Sequence, residues 1–263
     1  MALATIKLTG KHQLVQGNVD FTNRTVSIQD HLFNFGELNI DAPISGTIYG
    51  TLLNYQGNLE ALGKQLYEKP YNEPPKAPIL YIKPKNTIIG TNHDIPLPSD
   101  VTELEVGAAL GIVIGKTATR IKESDAHNYI KGYVIANDVS VPHESYFRPA
   151  VKHKARDGFC PIGPWVIEQE SVKNPDSLSI RVYVNENLAQ ENTTSNLIRS
   201  TSRLLSDVTE FMTLYEGDVL LVGVPEGTPI VKANDVVRIE VEGIGSLENR
   251  VVAEHSLGRS ELL

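Results

Sequence analysis

The chain has 263 residues, 41% of them hydrophobic and 21% charged, proportions that exclude a disordered polypeptide and allow a large buried core. A formal net charge of -8 argues against a nucleic-acid backbone or an anionic membrane as the main partner. The single cysteine, Cys160, excludes an internal disulfide and a thiolate metal site; between Phe159 and Pro161 it reads as a small buried hydrophobe. No apolar run approaches about 18 residues, and no charged-then-apolar signal pattern opens the chain. The expectation is a cytoplasmic protein that neither spans a membrane nor is exported.

The first forty residues alternate short apolar-patterned runs, Thr5 to Leu8, Thr25 to Ile28 and Leu32 to Phe35, with turn signals at Gly17-Asn18 and Thr22-Asn23. They predict a small N-terminal β subdomain over residues 1–45, used for packing or oligomer contact. Ile48 to Asn54 reads as a strand, and Leu59, Leu62 and Leu66 predict a helix from about Asn58 to Lys69. Pro70, Pro74, Pro75 and Pro78 then forbid regular structure, as a flap beside a site or as a rigid connector. Leu80 to Ile82 and Ile88-Ile89 resume apolar character around a Lys83-Pro84-Lys85-Asn86 turn.

The near-continuous apolar run Ala108 to Lys116 predicts a central strand covered on both faces. A short helix over Ser124 to Ile130 leads into the apolar run Tyr133 to Ala136, which delivers Asn137-Asp138 at a strand end. His143, Glu144, Tyr146 and Arg148 follow, then Lys152, Lys154, Arg156 and Asp157. Mixed-sign ionisable groups bracketed by two apolar segments suggest the polar floor of a pocket. Downstream, Trp165 to Ile167 reads as a strand, Leu178 to Val184 and Leu188 to Asn192 as a hairpin turning at Asn185-Glu186-Asn187, and Ser195 to Met212 as an amphipathic helix. Val219 to Val222 is a buried strand, Gly223 to Gly227 a loop whose amides face a ligand, and Val236 to Val241 with Ser246 to Val252 a closing hairpin. The pattern predicts an α+β fold, with residues 46–263 as the catalytic-type domain.

The order of these pieces resembles the fumarylacetoacetate hydrolase family. The resemblance is carried by LLNY (Leu52 to Tyr55), IVIGK (Ile112 to Lys116), GYVIANDVS (Gly132 to Ser140), KARDGFCPIGPW (Lys154 to Trp165), LYEGDVLLVGVPEG (Leu214 to Gly227) and VEGIGSLENRV (Val241 to Val251). IKPKNTIIG and SVPHESYFRPAVKHKARDGFCPIG are similar to the N-terminal half or subunit of family members that act as isomerase/decarboxylases of 4-hydroxyphenylacetate degradation. The resemblance implies coiled mixed β-sheets with flanking helices. It also implies isomerisation of 2-hydroxyhepta-2,4-diene-1,7-dioate, decarboxylation of 5-oxopent-3-ene-1,2,5-tricarboxylate, and a divalent cation held by a Glu-x-Glu pair and an Asp.

Asp138 matches that Asp, but the Glu pair falls on Gly107 and Ala109, so Mg²⁺ or Mn²⁺ is expected to bind weakly if at all. Glu103 and Glu105 lie four residues from the matching positions, about 13 Å along a strand, and read as solvated. The family's acid/base His and its Glu partner align with Asn58 and Ala61, leaving Glu60 one position off, and Val224 replaces the Thr of the glycine-rich loop. The remaining groups divide into catalytic candidates, with Glu144 or His143 moving a proton and Lys154 steadying an enolate oxygen, and substrate contacts from Arg148, Arg156, Tyr146, Asp157, Gly223 and Pro225. Against these roles stand ion pairing of Arg148 or Arg156 with Asp157 or Glu144, and a surface turn at His143. The expected partners are a small keto-enol di- or tricarboxylate and either a second copy or a metal-bearing paralogue; the other readings are a non-catalytic partner subunit of such a paralogue and a metal-dependent hydrolase of the same family, which requires ligands this sequence lacks.

Overall fold

A computed structural model describes residues 1–29, 31–143 and 149–256. Every residue of the strand Ala108–Ile114 is buried, as a run without a polar face requires. Its even positions, Ala108, Leu110, Ile112 and Ile114, enter the large core, while Ala109 and Val113 enter a smaller cluster with Val134, Ala136 and Cys160. This is the period-two alternation of a strand covered on both sides.

The strand pairs antiparallel with Ile130–Asn137 on one edge and Val219–Leu221 on the other. Beyond Ile130–Asn137 the sheet continues through Cys160–Glu168 to Ala2–Leu8 and the N-terminal meander. Beyond Val219–Leu221 it continues through the parallel strand Ile48–Leu52 to the edge strand Ile79–Lys83. A second sheet contains Asn187–Thr193, Ser179–Val184, Val236–Val241, Gly245–Ala253 and Ile95–Leu97. The main core lies between the sheets, where Trp165 packs edge-on against Phe35 at 5.0 Å and donates its indole N–H to the Ile244 carbonyl at 2.8 Å. This is the expected α+β arrangement of mixed sheets with few helices.

The large sheet is strongly coiled. Ile130–Asn137 and Ile79–Lys83 are four strand positions apart, about 19 Å if the sheet were flat. Immediately after Lys83 the chain turns and Ile88–Ile89 pairs parallel with Cys160-Pro161, so one end of the sheet folds back toward the other. The coil brings the inner face of the edge strand to the loop after Asn137.

Local differences from the sequence expectations have identifiable causes. Gly17-Asn18 lies inside the strand Leu14–Asp20; Gly17 marks a close approach, where a Cβ would stand 2.8 Å from the Ser27 carbonyl oxygen. The helix expected from Asn58 is Gln56–Leu62, stopped at Gly63 with φ 48°, and a 3₁₀ turn Gly63–Tyr67 follows. The amphipathic helix begins at Thr201, capped by the Ser200 hydroxyl. Its expected first turn is drawn away by Asn54, whose carbonyl accepts from the Ile198 N–H at 2.8 Å and whose side-chain oxygen accepts from the Arg199 N–H at 3.0 Å. The hairpin turn at Asn185-Glu186 has both residues at positive φ, as a two-residue primed turn requires.

Gly50 faces Tyr81 across the last strand pair, and a Cβ there would overlap the Tyr81 ring. Gly50→Ala is therefore expected to displace Tyr81 and lower stability by about 1–3 kcal/mol, read from urea unfolding.

Candidate active site

Asp138 follows the strand Ile130–Asn137 and is only 2% exposed. A carboxylate this deep requires compensating charge. Two lysines and a tyrosine supply the compensation. Tyr81 and Lys83 stand two apart on the edge strand and so share its inner face, while Ile82 between them is 56% exposed. The Lys83 ammonium lies 2.8 Å from Asp138 Oδ1 and donates to the carbonyls of Val139 at 3.0 Å and Lys154 at 2.7 Å. Two hydrogen bonds to carbonyls and one ion pair thus fix the ammonium.

Lys154 arrives from the opposite side, at the end of the short helix Val151–Lys154. Its Nζ donates to Asp138 Oδ2 at 2.7 Å and stands 4.9 Å from the centre of the Tyr81 ring, while the Tyr81 hydroxyl donates to the same Oδ2. The side chain of Lys83 is fully buried and that of Lys154 is 11% exposed, so Lys83 holds the carboxylate from behind and Lys154 faces the opening.

These contacts determine the protonation states. Burial opposes ionisation of Asp138, but Lys154 and then Lys83 outweigh it and hold the carboxyl well below its ordinary range. Burial, reinforced by Asp138, pushes the Tyr81 phenol far up, so Tyr81 remains an O–H donor. Burial also lowers the Lys83 ammonium, with Asp138 opposing the shift, and pushes the adjacent Cys160 thiol up to about 12, which leaves Cys160 without nucleophilic character. The Lys83–Asp138–Lys154 triad thus sets two lysine amino groups against one buried carboxylate at the cavity wall.

The cavity in front of Lys154 has a volume of about 220 Å³. His143, Asp138, Lys154 and Pro225 line it, together with Asn58, Ala61, Val224 and Thr51. His143 Nδ1 lies 3.0 Å from the Val141 carbonyl and 3.3 Å from the Ser140 hydroxyl, which hold the ring at the cavity wall. Gly223 lies behind the loop, where a Cβ would meet Asn54 and Tyr55. Glu144, Tyr146 and Arg148 fall outside the described residues.

Two expected substrate contacts are corrected by the geometry. Arg156 forms a forked pair with Asp100, 2.9 Å from Nη2 to Oδ2, and Asp157 accepts from the Asn86 side chain at 2.6 Å. Both line a separate depression with Pro98 and Glu254, because the chain turns outward after the helix ending at Lys154. Glu105, expected to be solvated, is half-buried and lines the main cavity. Burial raises its carboxyl, with Lys154 pulling down and Asp138 pushing up.

Sequence reasoning missed Tyr81, Lys83 and Glu226. The available signal was the alternation in ILYIK, which places Tyr81 and Lys83 on one side of a strand. Glu226 Oε1 accepts from Asn192 at 2.9 Å, while its Oε2 and the buried Tyr55 hydroxyl have no hydrogen-bond partner among the described residues.

The donor set does not fit a divalent cation. Both Asp138 oxygens carry ammonium partners, Ala109 points into the small apolar cluster, and a side chain at Gly107 would run into the Asp138 backbone. No group of three potential His, Cys, Asp or Glu ligands comes together among the described residues. Lysine ammonium groups hold the carboxylate that the family resemblance assigns to a metal.

Lys83→Ala leaves Asp138 short of one buried partner and is expected to lower stability by about 3–5 kcal/mol in urea unfolding. Because the Asp138 pKa is lower in the folded than in the unfolded chain, its contribution is present above about pH 3.9 and is lost as pH falls below that value. An acid titration of stability should show this limb in the native protein and a flatter one in Asp138→Asn.

No helix among the described residues is long and apolar enough to cross a membrane. Comparison with known proteins places this site in a family context. The chain is 42% identical over 214 residues to the 4-hydroxyphenylacetate degradation bifunctional isomerase/decarboxylase of Escherichia coli, covering 81% of the chain and 49% of that protein. The chain thus spans about half the length of this curated relative. Among solved structures, 5-carboxymethyl-2-hydroxymuconate delta-isomerase from Mycobacterium smegmatis superposes with a TM-score of 0.79 at 30% identity, covering 96% of this chain and 99% of that one. For 2-hydroxyhepta-2,4-diene-1,7-dioate isomerase from Mycobacterium marinum the TM-score is 0.77 at 26% identity, with 97% and 99% covered. The family model for the fumarylacetoacetate (FAA) hydrolase C-terminal region matches residues 47–252, and the chain belongs to the fumarylacetoacetate hydrolase family of enzymes.

Proposed function

We propose that this chain is a keto-enol isomerase of aromatic-acid catabolism that needs no tightly held metal. Its substrate is a small 2-hydroxy-dienoic acid of the type of 2-hydroxyhepta-2,4-diene-1,7-dioate, the compound for which the Mycobacterium marinum relative is named. The observation that carries the reading is the Lys83–Asp138–Lys154 triad, with Lys154 facing a cavity of small-acid size.

Ketonisation of a dienol removes a proton from oxygen and adds one at the far end of the conjugated chain, passing through a dienolate. Its demand on the site is a fixed positive charge at the enolate oxygen. Lys154 provides it, oriented by Asp138 and stacked on Tyr81; Lys83 and Tyr81 hold Asp138 in turn, so little reorganisation accompanies charge development. His143, on the cavity wall, accepts the enol proton. Decarboxylation of 5-oxopent-3-ene-1,2,5-tricarboxylate yields the same kind of enolate, and we assign that step to a metal-bearing counterpart with which this chain associates in the cytoplasm.

A second reading, a non-catalytic partner in a homodimer or a hetero-oligomer, is favoured by one observation: positions 107 and 109 carry glycine and alanine. The two readings separate in a single assay. The purified chain, in excess chelator, is expected to ketonise the dienol, followed by loss of its ultraviolet absorbance. Lys154→Ala should lower kcat/KM by about 100-fold or more, while Glu103→Ala leaves it unchanged. Activity only after mixing with a metal-bearing counterpart would favour the partner reading, and silence both alone and mixed would overturn both.

A further inference from the structure

We propose that Glu105 is the acid that delivers the proton to substrate carbon, a step that rests on the isomerase reading above. Two observations carry the assignment, the register of its strand and the state of its carboxylate.

The Asp138 N–H donates to the Gly107 carbonyl at 2.8 Å; two residues further, Glu105 and Ser140 exchange backbone hydrogen bonds of 2.8 and 3.2 Å. Positions 105 and 107 of an extended chain project to one face. At 107 that face leads straight to Asp138, since a Cβ there would stand 3.1 Å from the Asp138 Cβ. Glu105 therefore enters the cavity beside Asp138, with Lys154 on the same wall system and no side chain at 107 in between.

The Asp218 carboxylate is bound by backbone donors on both oxygens, and each Asp138 oxygen has a lysine ion-pair partner. The Glu105 carboxylate, half-buried, has no hydrogen-bond or ion-pair partner among the described residues. Lys154, Asp138, Tyr81, His143 and Glu226 are the ionisable groups that share its cavity. Burial is the largest influence on its carboxyl and raises it above its ordinary value, with Lys154 opposing and Asp138 adding to the shift.

The step balances without any co-reactant. The enol O–H bond breaks and its proton passes to His143, the carbonyl forms, the two double bonds become one shifted by a position, and a C–H bond forms at the distal carbon with the Glu105 proton. Solvent then reprotonates Glu105 and takes the enol proton from His143, which restores both groups.

The test compares wild type, Glu105→Gln and Glu105→Asp. Glu105→Gln is expected to lower kcat by about 10²- to 10⁴-fold with KM nearly unchanged, and to abolish the alkaline limb set by loss of the acid form. Glu105→Asp should retain that limb at a reduced rate. Wild-type turnover with an unaltered rate and pH profile in Glu105→Gln overturns the assignment. Absence of wild-type turnover overturns the isomerase reading itself. Calorimetric titration with oxalate in two buffers of different ionisation enthalpy distinguishes the two failures. Proton uptake on binding that disappears in Glu105→Gln supports Glu105 as the titrating group opposite the anion site, and uptake equal in both proteins refutes it.

Discussion

Everything in this molecule that bears on chemistry depends on keeping one carboxylate charged in a place without water. Asp138 is ionised because two ammonium groups and a phenol converge on it, and each is delivered by a different consequence of the fold. A buried ion pair of this kind contributes modestly to net stability, since desolvation offsets much of the attraction. What it contributes is placement: Lys154 has one position available to it, and that position faces the cavity.

The coil of the large sheet is the geometric condition for that convergence. Strands four places apart do not exchange side-chain contacts in a flat sheet, and a lysine side chain spans only a fraction of the gap. Folding the edge strand back toward the strand Cys160–Glu168 closes it. The small residues on the inner cluster, Ala109, Ala136 and the methyl-free Gly111, suit that curvature, because a Cβ at Gly111 would press on Val134 and Val219 at 2.9 Å. Coiling and site formation are thus one event.

Much of the architecture was legible because strands announce themselves by alternation. Ser179–Val184 and Val236–Val241 follow period-two patterns, Ala108–Ile114 stands out as an unbroken apolar run, and the turn at Asn185-Glu186 carries its own chemistry. Asp138 and Lys154 were also legible, one as a carboxylate at a strand end and the other within a dense ionisable segment. Lys83 was not, because a lysine between an apolar run and a proline looks like the solvent end of a strand; only the tertiary coil buries it. Glu105 was misread for a related reason. Its distance from a family position was measured along the strand, whereas its relation to the cavity is set across the strand, through Ser140. Arg156 failed in the opposite sense, since nothing near it in sequence reveals Asp100, the carboxylate that captures it on the surface.

The edge strand Ile79–Lys83 has a further consequence. An unpaired strand edge is a template on which other chains can add, and proteins blunt such edges with prolines and inward-facing charges. This strand is bracketed by Pro78 and Pro84, and its inward charge is Lys83 itself. The group that pairs with Asp138 is therefore also the inward-facing charge of an edge strand, so a change at Lys83 alters the site and the sheet edge together.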